Sequence, residues 1–561
     1  MKKLLCCVSC CLMINIGLAQ FQHSFGTEQS EMGRSLTQLQ KVEKGYLVAG
    51  YTSRNFIGSL EATLVKTDLN GNQIWSRVYG GQDFEYFNSV RQSTNFSPNN
   101  PAAYVAAGIT RSFGFGGGDA LLIGTNVNGA PVFSKVYGRD QYDAAHCVQN
   151  IKDENGRPGY IMVGETRSYS QSLPRTNMYV VRTDDQGNLT RATVIGGKGD
   201  QRGLWIEQTR DGGYIITGSS TDFDCGGSAT LVNPPTDIFV VKLKPDLNIE
   251  WQRVIGYPKE LDPMRRYLNV GTCIKQGRDG NYVLTGYTNS FGINNSFDAF
   301  LMYLRSNGDF MGMKTYGTER NEYGRSLQIT ASATGSPLYT IVGDQFTSTR
   351  KALLFQADAG GNFLWGYNYG RTGQEMGTEL VRDDFDKGFA FTGYTTTIGA
   401  GATDIYLVET TDTGKSTPQC EREIKLEVFK HEPCLTKIAE QIFVDEFRKI
   451  DPKVIRMEYK QDRCGIAISG KTDDIKDINE ESGVSLFPNP AKNLLTIDVK
   501  RTSKTTYGGV FDIQGKEVIQ NIQIGETGKT IVATETLEPG VYIVKLKTEN
   551  GETLVKKFFK E

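Results

Sequence analysis

One phrase returns seven times along this chain. An aromatic or aliphatic residue precedes a Gly, an acidic residue opens an apolar stretch, a second apolar strand ends in Gly, and a third runs into a polar turn. The clearest copy reads YGGQDFEYFNSVRQ…YVAAGIT…DALLIGTNVNG. The Gly that closes the second strand is Gly50, Gly108, Gly164, Gly218, Gly286, Gly343 and Gly393, an average spacing of about 57 residues. Self-similarity at such a period means one supersecondary unit used repeatedly, and this period is close to the roughly 50 residues of kelch-type blades.

Each copy divides into four short strands. In the second copy they cover residues 75–79, 89–93, 104–108 and 120–125, rich in Val, Ile, Tyr and Phe and bounded by Gly, Asn and Asp. Turns such as Asp68-Leu69-Asn70-Gly71-Asn72 supply the residues that tolerate positive φ in a hairpin. Four-stranded units repeated radially make a β-propeller. The expected fold is therefore mainly β: a seven-bladed β-propeller over 20–417. Residues 21–25 are a strand of the type that follows the turn, and 404–411 one of the type that precedes it. The two should pair in one blade and close the ring, which removes exposed edges.

The 63 Gly belong to these turns, and 561 residues exceed one ordinary domain. Lys plus Arg (62) nearly balances Asp plus Glu (64), which argues against nucleic acid as a partner. Residues 1–19 read as a signal peptide: Lys2 and Lys3, an apolar core over 4–16, and cleavage between Ala19 and Gln20. A lipoprotein signal ending at Cys10 is the rival, with only nine residues before that Cys. The apolar core is too short to anchor the chain, and no transmembrane segment is expected in the mature protein.

Residues 418–470 break the repeat. The alternation over 423–430, the spacing of Ile438, Ile442, Phe443 and Phe447, and two further apolar stretches predict a small β-α-β-β module with a helix over 435–450. Cys420, Cys434 and Cys464 are disulfide candidates whose pairing the sequence leaves open. A Cys₃His zinc site with His431 fits in ligand type but not in spacing. No metal and no cofactor is expected. Residues 471–482 read as a charged linker.

The last segment, 483–561, opens with Pro488, Asn489 and Pro490 in the run SLFPNPA. It continues through FDIQGK with Gly515, then LEPGVYIV with Gly540 and Tyr542, and ends in KKFFK. Its short alternating strands suggest an antiparallel β-sandwich of about seven strands, Ig-like in layout. It resembles the type A C-terminal sorting domain of type IX secretion cargo from Bacteroidetes. That resemblance implies export through both membranes, recognition by the type IX translocon, and removal of the domain by a sortase-like enzyme. The protein would then be secreted or attached to the cell surface.

Only His23, His146 and His431 exist in the whole chain, which disfavours His-based triads and multi-His metal centres. Two rows of acids recur: Glu31, Glu85, Asp143, Glu322 and Glu375, and Glu61, Asp119, Asp237, Asp298 and Asp404. Catalysis needs carboxylates in unlike surroundings, whereas a repeated row places them in like ones. The rows are expected to hold the blades, and no catalytic residue is assigned. Function is sought in the inserted loops, where aromatic and Arg residues gather: Phe113, Phe115, Tyr169, Phe223, Arg265, Arg266 and Tyr267. The preferred reading is a binding scaffold for a glycan or protein. The alternatives are a structural cell-surface component and a carboxylate-dependent polysaccharide hydrolase or lyase.

Overall fold

The computed structural model describes residues 20–560 apart from 41–43, 55–58, 98–99, 170–174, 198, 222–234, 257–266, 293–294, 386, 417–420, 438–443, 447–452, 455–457, 461–464, 467–483, 488–490, 500–505, 513–516, 525–527, 539 and 549–552. It forms two compact units, Met1–Ser469 and Gly470–Glu561.

The first unit holds seven five-stranded antiparallel sheets, one for each copy of the repeat. Blade 1 runs outward from the inner strand Glu31–Leu39 through Gly45–Arg54 and Ser59–Thr67 to Gln73–Gly80. The inner strands of blades 2 to 7 are Glu85–Gln92, Asp143–Lys152, Gln201–Gln208, Asn269–Gln276, Glu322–Ala331 and Glu375–Arg382. Blade 7 takes its fourth strand from Gln22–Gly26, which pairs with Asp404–Thr410 from Gln22↔Val408 to Phe25↔Ile405. The first strand of the fold thus sits beside the last of the repeats.

The fifth strands come from the segment after the repeats, and here the structure corrects the sequence. Among the described residues, that segment forms no separate β-α-β-β module. Glu421–Glu423 joins blade 6, Glu427–His431 blade 5, Cys434–Lys437 blade 4, Val444–Glu446 blade 3, Lys453–Val454 blade 2, Glu458–Lys460 blade 1 and Gly465–Ile466 blade 7. It is a belt that passes the blades in reverse order. Strands open and close the stretch 434–446, where helical spacing had pointed to a helix over 435–450. The physical reason is the open edge on every fourth strand: its unpaired N–H and C=O groups are satisfied by the belt's backbone. Cys420 and Cys464 lie outside the described residues, and of Cys434 only the backbone is placed.

The repeated residues now have causes. Every inner strand carries a bulge near its start, between Gly33 and Ser35 in blade 1 and between Gly377 and Glu379 in blade 7. The bulge drives the carbonyl of Met32 or Met376 into the space that a Cβ would need at Gly50 or Gly393. The Tyr of the fourth strand ties one blade to the next. Tyr79 donates to the Gly129 carbonyl at 2.6 Å and Tyr316 to that of Gly361 at 2.7 Å. Where Ile255 stands instead of Tyr, Arg253 Nε takes over by donating to the Gly308 carbonyl at 3.0 Å. Buried aliphatic and aromatic side chains fill the spaces between blades.

The second unit has a three-stranded sheet (Val484–Phe487, Leu494–Val499, Lys529–Ala533) and a four-stranded sheet (Glu517–Ile524, Thr506–Phe511, Gly540–Thr548, Thr553–Lys560). Leu495, Ile497, Val510, Ile524, Val544 and Phe558 form its core. The Tyr542 hydroxyl donates to the Glu538 carbonyl at 2.8 Å, and Gly540 opens its strand. Pro488, Asn489, Pro490 and Gly515 lie outside the described residues.

Candidate functional site at the channel mouth

The first acidic row is structural. Glu31 accepts the Thr27 amide at 3.2 Å and the Thr52 hydroxyl at 2.7 Å. Glu85 accepts the Gly81 amide at 2.9 Å, and Glu322 the Thr318 amide at 3.0 Å. Blade 4 does the same with a neutral Gln201, which accepts the Gly197 amide at 2.9 Å. These side chains pin the connection between blades. In blade 7 the acid also meets a cation, with Lys351 Nζ 2.7 Å from Glu375. The Asp68 turn is likewise satisfied from within, its Oδ1 accepting the amides of Asn70 at 2.9 Å and Asn72 at 2.8 Å. No cluster of metal-ligating side chains occurs among the described residues.

Just beyond the acidic row, two positions recur in register around the ring. The residue after the acid pairs with the residue after the second-strand Gly: Met32↔Tyr51, Tyr86↔Ile109, Ala144↔Glu165, Arg202↔Ser219, Val270↔Tyr287, Tyr323↔Asp344 and Met376↔Tyr394. Next comes the bulged residue, which lacks a strand partner: Arg34 in blade 1, Asn88 in blade 2, His146 in blade 3 and Arg325 in blade 6. A bulge re-aims a side chain out of the ladder. Together these positions make a mouth of half-buried Tyr and Arg at one end of the central channel.

Adjacent blades touch through these groups. The Arg34 guanidinium lies 4.8 Å from the centre of the Tyr86 ring and 5.7 Å from that of Tyr51, and it donates to Asn88 Oδ1 at 2.6 Å. Arg111 covers Phe84 at 4.2 Å, and Arg167 covers Tyr142 at 5.8 Å. Across the ring, Tyr323 packs on Tyr287 at 5.0 Å, Phe297 at 5.3 Å and Phe346 at 6.0 Å. Asp344 is fully buried between Arg325 Nε at 2.5 Å and Arg350 Nε at 3.3 Å. Glu165 faces Arg202 at 2.6 Å and His146 at 3.6 Å. Burial pushes the Glu165 carboxyl up, but its neighbours His146 and Arg202 outweigh this and hold it at about 2.

Deeper in the channel the inner strands meet at a charged plug. Arg91 of blade 2 reaches Glu379 of blade 7 at 2.9 Å, and Lys275 of blade 5 lies 3.9 Å from Glu207 of blade 4. Arg91 and Lys275 both face the ring of Trp205, at 5.4 and 5.3 Å. Cys147 and Cys273 are free and buried, and burial pushes the Cys273 thiol up to about 12.

Of the residues chosen from the inserted loops, Phe113, Phe115, Tyr169 and Tyr267 are among the described residues. Tyr169 is buried against Tyr179 at 5.8 Å, and Tyr267 is buried as well. Phe113 is half-buried against the core between blades 1 and 2, while Phe115 is 51% exposed. Phe223, Arg265 and Arg266 lie outside the described residues, as does Ala19, whereas Gln20 is described. The mouth residues were missed because they vary inside the repeat, at a fixed offset from the acid. The strings EMGR, EYFN and EYGR carry them and could have exposed the pattern.

Comparison with known proteins bears on both units. Residues 485–561 match the family model of the secretion system C-terminal sorting domain. A propeller-like repeat domain therefore travels with a secretion tail. The chain is a cargo protein of the type IX secretion system, and its tail directs it out of the cell through that machinery. No curated protein matches the chain. Among solved structures it is similar to Sqt1 from Chaetomium thermophilum, with 10% identity and a TM-score of 0.39 over 71% of this chain and 87% of that one. It is also similar to polysaccharide lyase Uly1, with 11% identity and a TM-score of 0.38 over 67% of this chain and 89% of that one. A putative exo-beta-1,3-galactanase from Bifidobacterium bifidum shows 14% identity and a TM-score of 0.26 over 53% of this chain and 91% of that one. These likenesses carry no argument about activity.

Proposed function

We propose that this protein is an exported binding protein, secreted or held at the cell surface, whose propeller mouth recognises a glycan. The carrying observation is the ring of half-buried Tyr at one register level: Tyr51, Tyr86, Tyr287, Tyr323 and Tyr394, interleaved with Arg. Tyr and Arg dominate recognition surfaces because each presents a rigid flat face together with polar donors. A sugar ring offers the complement, with an apolar C–H face for stacking and hydroxyls for hydrogen bonds.

Two features favour binding over hydrolysis. The acids of the repeated row hold interblade connections; beyond them Glu165 faces Arg202 and His146, and Asp344 lies between Arg325 and Arg350. Acid–base hydrolysis needs one carboxyl protonated at neutral pH beside one that is not; Glu165, held at about 2, does not supply the proton, and Asp143, raised to about 6, is fully buried with its oxygens bonded to Arg139, Thr166 and Ser168.

The test is a glycan array probed with the full chain and with the double variant Tyr86→Ala/Tyr323→Ala. The expected result is a defined set of bound glycans that the double variant loses. Undiminished binding by that variant, or release of cleaved sugar from the bound glycan, would refute the proposal.

A further inference from the structure

The glycan-binding reading leaves the charge of the ligand open. Resting on that reading, we propose that the mouth takes an anionic glycan, a polymer whose sugar rings carry carboxylate or sulfate groups.

The chain as a whole has a net charge of −2. At its mouth the row acids are taken up by hydrogen bonds within the interblade connections, and beyond them Arg34, Arg111, Arg167, Arg202, Arg325 and Arg350 gather, with Glu165 and Asp344 the carboxylates paired to them. Arg202 answers Glu165, while Arg325 and Arg350 share the single carboxylate of Asp344. The surplus is concentrated on three consecutive blades. Arg34, Arg111 and Arg167 face no carboxylate among the described residues.

Arg34 is the most telling of the three. Its Nη1 is spent on the neutral amide of Asn88, its flat face is held by Tyr51 and Tyr86, and its Nε is buried without a hydrogen-bond partner. A guanidinium in that state is costly unless an acceptor arrives. The two rings hold the guanidinium in place, and its unanswered Nε–H keeps the capacity for a charge-assisted bond to a carboxylate or sulfate. Arg111 and Arg167 repeat the stacking at the exposed rim, over Phe84 and Tyr142. The glycan hydroxyls have partners too: the Tyr51 hydroxyl donates only to the weak acceptor Met32 Sδ, at 3.4 Å. A ligand hydroxyl would displace that bond at little cost.

The experiment is titration calorimetry of the full chain with polygalacturonate, dextran sulfate and uncharged dextran, each at low and high salt. Poly-glutamate and a single-stranded oligonucleotide serve as anions without sugar-ring acids. The expected result is binding of one or both charged polysaccharides, none of dextran, and weakening as salt screens the charges. Polygalacturonate and dextran sulfate separate carboxylate from sulfate recognition. Arg34→Gln should weaken binding about ten-fold, the scale of one charge-assisted hydrogen bond. Arg111→Gln/Arg167→Gln, at exposed positions where folding is not at stake, should weaken it about as much and flatten the salt dependence. Failure to bind either charged polysaccharide overturns the inference, as does tighter binding of poly-glutamate or the oligonucleotide. If array glycans are neutral and lost with Tyr86→Ala/Tyr323→Ala but unaffected by Arg34→Gln, the anionic inference falls while the glycan reading stands. If the Tyr variant changes nothing, both fall.

Discussion

Replacing Asp143 by Asn should make the protein more stable at pH 8 and leave it nearly unchanged at pH 4. Asp143 is fully buried at the junction of blades 2 and 3, where its carboxylate and that of Asp119 both crowd the space beside Gly138. It accepts the Arg139 amide at 2.9 Å and the Ser168 hydroxyl at 2.6 Å, together with the Thr166 hydroxyl. Burial outweighs these bonds and raises its carboxyl to about 6. An acid whose pKa is raised on folding contributes no penalty below its unfolded value, and its stability is lost as pH climbs through the folded value. Between the ordinary 3.8 and about 6 the fold therefore loses up to roughly 3 kcal/mol at this side chain. Asn cannot ionise. It also has a precedent one blade pair on, where Asn269 donates to Asp237 at 2.9 Å and accepts the hydroxyls of Thr288 and Ser290, both at 2.6 Å. Thr166, Ser168 and Asp119 occupy the corresponding places around Asp143. Exchanging a charge-assisted hydrogen bond for a neutral one costs about 1 kcal/mol, which leaves a net gain of about 1–2 kcal/mol at pH 8. For a unit of about 450 residues, unfolding with about 2.1 cal/mol/K of entropy per residue, that is a rise in melting temperature of about 1–2 °C. Thermal melts of both proteins across pH 4 to 8 provide the readout. If Asp143→Asn melts lower at pH 8, or keeps the same slope between pH 4 and 6, the burial argument is wrong.

Three further outcomes follow from the fold. Gly393→Ala should cost about 3 kcal/mol or more, because its Cβ falls on the Met376 carbonyl that the bulge places there; a thermal melt checks it. Ending the chain at residue 417 should leave the fourth strands of all seven blades unpaired, so light scattering should detect self-association and melting should fall relative to the full chain. Removing residues 485–561 should trap the protein inside the cell, scored by immunoblot of cells against culture medium, while Asp143→Asn should leave export unchanged.

Much of the propeller was legible because its constraints repeat. The second-strand Gly, the Asp-Gly-Asn turns and the Tyr-Gly ends each answer one backbone requirement that every blade shares. The closing strand was legible for the same reason, since residues 21–25 complete a unit that the last copy lacks. The belt was not. Its described strands are two to five residues long, too short to show a period of two, and Ile438, Ile442, Phe443 and Phe447, whose spacing suggested a helix, lie outside the described residues. The mouth was hidden for another reason. The bulge is a backbone feature that recurs, but the side chain it turns out is Arg34, Asn88, His146 or Arg325 in different blades. A recognition surface must be unlike itself around the ring, so the repeat marks where to look without naming what is found. The inserted loops drew attention by length, yet Tyr169 and Tyr267 are buried in the body of the fold.

The path of the belt also sets an order of events in time. The strand Gln22–Gly26 lies between Asp404–Thr410 on one side and Gly465–Ile466 on the other, with Phe25 opposite both Ile405 and Ile466. The seam of the ring is thus clasped by the last strand of the first unit. Until residue 466 is available, blade 7 is one strand short and the earliest strand has one open side. Contacts between such distant parts of a chain form slowly, because the intervening loop must first be closed. A chain threaded out of the cell from its N-terminus would stay unlatched through most of its passage, and the ring would lock only once the final turn of the belt had emerged.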